Sequence, residues 1–132
     1  MPTQVLIVDH HSTVRLGLAA FLRTAPDLAV CGQAADATQA MIMLKAFRPD
    51  VVVLDIQLPT SNGLELVERI KAHDQTVRIL VWSFFADQVH ADLVLSAGAS
   101  GHLSKNVPIG RILDAIRRVR DGRVLLCEDT AE

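Results

Sequence analysis

Four polar residues, far apart along the chain, have the side chains needed to handle a phosphoryl group. They are Asp9, Asp55, Ser83 and Lys105. Carboxylates hold a divalent cation, while a hydroxyl and an ammonium bind phosphoryl oxygens. An aspartate can itself attack a phosphoryl donor when a divalent ion and a lysine neutralise the negative charges that meet there. No one of these residues is specific alone, but the spacing of all four indicates a phosphoryl-handling site.

Short apolar runs position these residues. Runs of strand length occur at 5–8, 28–32, 51–54, 78–82 and 101–103. Several are β-branched and continuous, which is typical of strands buried on both faces of a parallel sheet. Asp9 follows the first run, Asp55 the third and Ser83 the fourth, and Lys105 comes just after the fifth. Since ligands of such sheets bind beyond the carboxyl ends of the strands, we expect the four side chains to meet at one edge.

Helical periodicity fills the gaps between the runs, so strand and helix alternate five times. That order predicts an α/β fold, an open parallel sheet with helices on both faces. Ser12, Asp36 and the segment "SNG" at 61–63 mark the starts of the first three helices, with Ser12 as a cap.

Length and composition limit the possible functions. The 132 residues suit one domain, which we assign to residues 1–121, with 122–132 as a tail or the start of a linker. We expect "CEDTAE", residues 127–132, to be frayed. No apolar run approaches the roughly 20 residues of a membrane span. The start "MPTQVLIV" lacks the features of a secretion signal, and Cys31 and Cys127 lie far apart. These features predict a cytoplasmic protein with structural thiols and no membrane contact.

Charge gives little sign of direct nucleic-acid binding. The formal net charge is −2 at pH 7, whereas DNA-binding domains usually carry a basic face. Arginines gather only between 111 and 123, in "RILDAIRRVRDGR". We interpret them as a solvated helix face whose cations suit the negative end of the helix dipole, with a partner-binding face as the alternative.

Three longer segments resemble a known family. They are "VLIVDHHSTVRLGLAAFL", "AADATQAMIMLKAFRPDVVVLDIQLPTSNGLELV" and "AGASGHLSK". Together they resemble the CheY-like receiver domain of bacterial two-component response regulators, in the branch with a carboxy-terminal LuxR/NarL-type helix-turn-helix domain. The resemblance covers about residues 4–120, and "RPDVVVLDIQLP" is its most specific part.

The resemblance implies a fold and a set of roles. The fold would be flavodoxin-like, with five helices and a doubly wound five-stranded parallel sheet in the order 2-1-3-4-5. Asp55 would be the phosphoacceptor, and Ser83 and Lys105 would contact the phosphoryl group. Asp9, Asp55 and the backbone carbonyl of Gln57 would bind Mg²⁺.

The chain departs from the family at three informative positions. His10 replaces the second of two adjacent acids, and imidazole is a poor ligand for Mg²⁺, so we expect weak or absent Mg²⁺ binding. His10 and His11 could instead recruit a transition metal, but successive residues leaving a strand rarely point at one ion. Phe84 replaces a small residue next to Ser83 and could obstruct access to Asp55. His102 stands where the family commonly has a switching aromatic residue.

Two functions remain open, and an enzyme is a distant third. The first is a conventional switch, phosphorylated on Asp55 by a sensor histidine kinase. The second, which we favour, is an atypical receiver that acts as an interaction or dimerisation module. In both, DNA is reached only through an output domain outside this chain, and a homodimer is expected. Dinucleotide binding is disfavoured because "DHHSTVRLG" lacks a glycine-rich turn.

Overall fold

A computed structural model describes residues 1–59, 61–84 and 88–128. The strands are β1 (Thr3–Val8), β2 (Leu28–Ala34), β3 (Val51–Leu54), β4 (Arg78–Ser83), β5 (Gly101–Ser104) and β6 (Leu125–Glu128). The helices are α1 (Ser12–Leu22), α2 (Ala37–Phe47), α3 (Gly63–His73), α4 (Gln88–Ala97) and α5 (Gly110–Arg120).

The strands form one parallel sheet in the order β2-β1-β3-β4-β5-β6. The predicted order 2-1-3-4-5 and the five helices are confirmed. The sixth strand was not predicted, and it lies within the residues assigned to a tail. Leu125 of β6 is buried, and Gly101 makes room for it, since a Cβ added at Gly101 would lie 2.8 Å from the Leu125 Cβ. The expectation of fraying is wrong for Cys127 and Glu128, whose backbone pairs in β6, and residues 129–132 lie outside the described residues.

Two apolar layers cover the faces of the sheet. Val5 and Ile7 of β1 point into a core shared with α1 and α5, while Leu6 and Val8 point into a core shared with α2, α3 and α4. Successive residues of the strand are therefore buried on opposite faces, which explains why the apolar runs are continuous instead of alternating.

The capping residues predicted from the sequence are found at two of the three helix starts. The Asp36 side chain accepts a hydrogen bond from the Gln39 N–H at 2.8 Å, which confirms it as the cap of α2. Asn62 caps α3 by accepting from the Leu64 N–H at 2.8 Å. The prediction of Ser12 as a cap is wrong: Ser12 is already helical, and His11 precedes α1 without a side-chain cap. The His11 N–H instead donates to Asp9 Oδ1 at 2.9 Å.

Among the described residues, no helix is long and apolar enough to cross a membrane. The Cys31 thiol is half-buried and donates to the Val5 carbonyl at 3.5 Å. Burial raises its pKa, which suits a structural thiol.

Candidate functional site

The register of β1 and β3 brings Asp9 and Asp55 together. Val8 and Leu54 are register partners at the carboxyl ends of these neighbouring strands. The chain continues in step beyond them, because the Asp55 N–H donates to the Val8 carbonyl at 3.0 Å. Asp9 is held from the other side, where its N–H donates to the Ala34 carbonyl at 3.0 Å. Two adjacent carboxylates therefore leave the sheet at one edge, and both residues are buried.

Lys105 joins the two carboxylates. Its ammonium donates to Asp9 Oδ2 and to Asp55 Oδ2, each at 2.7 Å. The Lys105 side chain is 3% exposed and each aspartate side chain 2%, so the three charges are shielded from water. The Lys105 N–H donates to the Ser83 carbonyl at 2.9 Å, which fixes the chain leaving β5 against the end of β4.

Two aromatic rings also face the ammonium. The Lys105 Nζ lies 5.2 Å from the ring centroid of Trp82 and 5.5 Å from that of Phe84. Both distances are within the range of cation–π attraction. Trp82 is 8% exposed and Phe84 is 56% exposed, so the first ring is part of the core and the second lies at the surface.

The remaining carboxylate oxygens accept backbone hydrogen bonds. Asp9 Oδ1 accepts from the His11 N–H at 2.9 Å, and Asp55 Oδ1 accepts from the Gln57 N–H at 3.0 Å. Each of the four oxygens thus has a donor within the protein. The carboxylates are held in fixed orientations before any ligand arrives.

His10 and His11 lie on the solvent side of this cluster. His10 Nδ1 is 3.0 Å from the backbone carbonyl oxygen of Gln57, and His11 Nδ1 is 3.3 Å from Asp9 Oδ1. Their ring centroids are 3.8 Å apart. The position that the family fills with an acid therefore presents a ring nitrogen to the same carbonyl that was predicted to bind Mg²⁺.

The model of the response regulator receiver domain matches residues 5–117. The chain belongs to this family. It is 39% identical over 124 residues to the DNA-binding transcriptional activator DevR/DosR of Mycobacterium tuberculosis, covering 93% of this chain and 57% of that protein. It is 29% identical to the nitrate/nitrite response regulator protein NarL of Escherichia coli, covering 96% of this chain and 59% of that protein. The receiver thus spans little more than half the length of these relatives.

Solved structures agree with the family assignment. A LuxR-family two-component response regulator from Aurantimonas sp. SI85-9A1 superposes with a TM-score of 0.92 at 31% identity, covering 98% of this chain and 92% of that one. The signal receiver domain of the putative response regulator NarL from Mycobacterium tuberculosis gives a TM-score of 0.86 at 27% identity, covering 92% and 98%. This chain is therefore a receiver domain of a two-component response regulator of the NarL/LuxR type. DevR/DosR and LiaR of Bacillus subtilis, which is 34% identical over 119 residues, are both named as regulators of transcription.

The four residues predicted to handle a phosphoryl group lie at the carboxyl edge of the sheet, while His102 lies within β5. Asp9, Asp55 and Lys105 are in direct contact, and Ser83 is buried beside them at the end of β4. His102, which was predicted to be a switch residue, is fully buried in β5, where its register partner is Val81.

Two residues of the site were missed from the sequence. The sequence predicts Trp82 only as part of an apolar strand, and nothing in "RILVW" indicates that its ring lies near Lys105. Arg15 donates from Nη1 to the Asp9 carbonyl at 2.7 Å. Its place in the first turn of α1 was the available signal, since a long side chain there can reach back to the end of β1.

Proposed function

We propose that this receiver is atypical and acts as an interaction or dimerisation module of a transcription regulator, with its conformation set by a partner or ligand other than a phosphoryl group. The observation that carries the proposal is His10, which stands where the family has an acid and places its Nδ1 3.0 Å from the Gln57 carbonyl oxygen. The Lys105 ammonium, shielded from water between Asp9 and Asp55 at 2.7 Å from each, balances the carboxylate charges in either function.

The donor set around the carboxylates fits Mg²⁺ poorly. Mg²⁺ prefers oxygen ligands in near-octahedral array. This site offers two carboxylates, both paired with Lys105, and the Gln57 carbonyl oxygen, which lies 3.0 Å from His10 Nδ1. The replacement of an acid by His10 removes one oxygen ligand and one negative charge. We therefore infer weak or absent Mg²⁺ binding.

The surroundings of the ammonium limit access as well. The Phe84 ring lies over Lys105 at the surface, 5.5 Å from Nζ, and Trp82 lies 5.2 Å away on the core side. Aromatic rings near the ammonium stabilise it in place. We propose that Phe84, next to the ammonium that contacts Asp55, slows the approach of a phosphodonor to Asp55.

The alternative is a conventional phosphoacceptor switch. It is favoured by one observation: Asp55, Ser83 and Lys105 are all present at the same sheet edge, with Asp55 and Lys105 in contact. In that case a sensor histidine kinase donates the phosphoryl group to Asp55, and Ser83, Lys105 and His102 respond.

The proposed partners follow from the relatives. DevR/DosR and LiaR are about 1.6 times as long as this chain and are named as a DNA-binding transcriptional activator and a transcriptional regulatory protein. We propose that the receiver controls an output domain that contacts DNA, and that two receivers pair to do so. A sensor histidine kinase is the input in the alternative function, and we propose a cytoplasmic location for both.

Phosphorylation of the intact chain tests the proposal. The protein is mixed with a small phosphodonor and Mg²⁺, and the intact mass is measured over time, with Asp55→Ala as the control. We expect little labelling in the wild type and faster labelling in Phe84→Ala. Rapid labelling of the wild type that is lost in Asp55→Ala would establish the conventional switch. Equal rates with and without the Phe84 ring would show that it does not gate access.

Self-association is measured in parallel by sedimentation. We expect a dimer whose dissociation constant is the same with and without the phosphodonor. A dimer that forms only after labelling of Asp55 would contradict the proposal.

A further inference from the structure

The segment Asp9, His10 and His11 gathers three potential metal ligands. One ligand atom from each residue lies within 4.8 Å of the other two. The sequence argument against such a grouping, that successive residues leaving a strand point apart, is wrong here. The chain turns back on itself, because the His11 N–H donates to Asp9 Oδ1 at 2.9 Å. The two rings are consequently held side by side, with centroids 3.8 Å apart.

One pair already has the spacing of two ligands on one ion. His11 Nδ1 lies 3.3 Å from Asp9 Oδ1. Around a tetrahedral ion with Zn–N and Zn–O bonds of about 2.0–2.1 Å, neighbouring ligand atoms are about 3.3–3.4 Å apart. An ion can therefore take the place of the proton between these two atoms with little movement.

The surroundings orient the other ligands. Metal-binding histidines usually donate their second ring N–H to a carbonyl or carboxylate, which fixes the tautomer. His10 Nδ1 lies 3.0 Å from the Gln57 carbonyl oxygen, an acceptor that keeps the proton on Nδ1 and leaves the lone pair on Nε2. The Asp9 carboxylate is held in place through Oδ2 by Lys105, and its backbone carbonyl by Arg15.

We propose that Asp9, His10 and His11 form a site for a borderline divalent transition metal ion of the Zn²⁺ class. Asp9 Oδ1, His10 Nε2 and His11 Nδ1 are the ligands, and water fills the fourth position. Imidazole nitrogen suits such ions and disfavours Mg²⁺. His10, which weakens Mg²⁺ binding, therefore favours a transition metal ion at the same edge of the sheet. The inference rests on the proposed function, in which a ligand other than a phosphoryl group sets the conformation of the receiver. The metal ion would be that ligand.

Calorimetric titration of the untagged, metal-free chain tests the site. We expect one Zn²⁺ bound per chain, at least tenfold more tightly than Mg²⁺. His10→Gln and His11→Gln should each weaken Zn²⁺ binding tenfold or more. The matched control is His73→Gln, an exposed histidine at the end of α3, which should bind as the wild type does. Absent Zn²⁺ binding, or equal affinity in the His10 and His11 variants, would overturn the proposal.

Two further measurements separate this site from other ligands that could hold Zn²⁺. The thiols are the competing ligands, so Cys31→Ser and Cys127→Ser should leave the affinity unchanged, and a tenfold loss in either would overturn the assignment. In case a histidine variant fails to fold, the ring nitrogens of the wild type are followed by NMR during titration. Shifts at His10 and His11, and none at His73, are expected, whereas unshifted His10 and His11 rings would refute the site.

The outcome is independent of the phosphorylation assay. A chain that binds no Zn²⁺ and labels poorly on Asp55 would overturn the metal site and leave the proposed function intact. A chain that labels rapidly on Asp55 and also binds Zn²⁺ through His10 and His11 would overturn the proposed function and leave the metal site intact.

Discussion

At the scale of single residues, Lys105 carries the charge balance of the site. Its ammonium lies between two carboxylates, and all three side chains are at most 3% exposed. Charges buried in this way are tolerated only while they are paired, because the loss of one partner leaves the others without compensation. The lysine is therefore a structural group as well as a candidate phosphoryl contact.

Lys105→Met should lower the free energy of unfolding by about 3–5 kcal/mol, the usual cost of breaking a buried ion pair. Urea denaturation in metal-free buffer measures it. Lys45→Met, which removes an exposed lysine from α2, should change stability by only about 0.5 kcal/mol. A loss for Lys105→Met as small as that of the control would show that the carboxylates do not depend on the lysine.

His10→Asp should restore Mg²⁺ binding. The substitution adds an oxygen ligand and a negative charge beside the Gln57 carbonyl, in place of a ring nitrogen 3.0 Å from it. We expect Mg²⁺ affinity to rise about tenfold, or about 1.4 kcal/mol, in calorimetric titration. His73→Asp adds the same charge far from the site and serves as the control. Unchanged affinity in His10→Asp would mean that the missing acid does not limit Mg²⁺ binding.

At the scale of elements, the start of α3 positions the loop that follows Asp55. The Gly63 N–H donates to the Ile56 carbonyl at 3.2 Å, and a Cβ at Gly63 would overlap the backbone of Ile56. Asn62 caps the helix through the Leu64 N–H. The loop that carries Gln57 is thus fastened to α3 by a close contact that only glycine allows.

Asn62→Ala should destabilise the protein by about 1 kcal/mol, because the Leu64 N–H in the first turn of α3 loses its hydrogen-bond acceptor. Denaturant unfolding monitored by circular dichroism checks the loss. Asn62→Asp keeps a capping oxygen and should unfold with nearly the wild-type midpoint. If the aspartate variant were as unstable as the alanine variant, the cap would not be the cause.

The elements also show what the sequence could predict. The continuous apolar runs located β3 at 51–54 and the strand ends that carry Asp9 and Asp55, because burial on both faces leaves a clear pattern. β6 was missed because its short run is followed at once by polar residues and depends on space beside Gly101. The contact of Lys105 with both carboxylates and with Trp82 depends on side-chain paths across the sheet, which no local pattern encodes.

At the scale of the whole molecule, part of the arginine cluster is used internally. Arg117 donates to both oxygens of Asp27, from Nε at 2.9 Å and from Nη2 at 2.8 Å. Arg120 Nη1 donates to Asp27 Oδ2 at 3.1 Å, and Arg118 pairs with Asp114 one turn away. Asp27 precedes β2, so these contacts tie α5 to the turn between α1 and β2. The solvated helix face inferred from the sequence is thus partly a link between elements.

This link should make stability depend on pH. The hydrogen bonds from the Arg117 guanidinium hold the pKa of Asp27 well below its usual range. A carboxyl with a lowered pKa in the folded state stabilises the protein above its unfolded pKa of about 3.9, and the contribution is lost as the pH falls toward the folded value. Asp27→Asn should therefore be less stable than the wild type at pH 7, and the difference should shrink progressively below about pH 4.

Urea denaturation of the wild type and Asp27→Asn across this range isolates the effect, because the other carboxyl groups titrate in both proteins. Arg117→Met should remove most of the difference, since its guanidinium is the main cause of the lowered pKa. Arg123→Met, which removes an exposed arginine beyond the end of α5, should leave the difference intact. A difference between wild type and Asp27→Asn that stays constant through the acid range would show that the link between α5 and the α1–β2 turn does not stabilise the fold through the charge of Asp27.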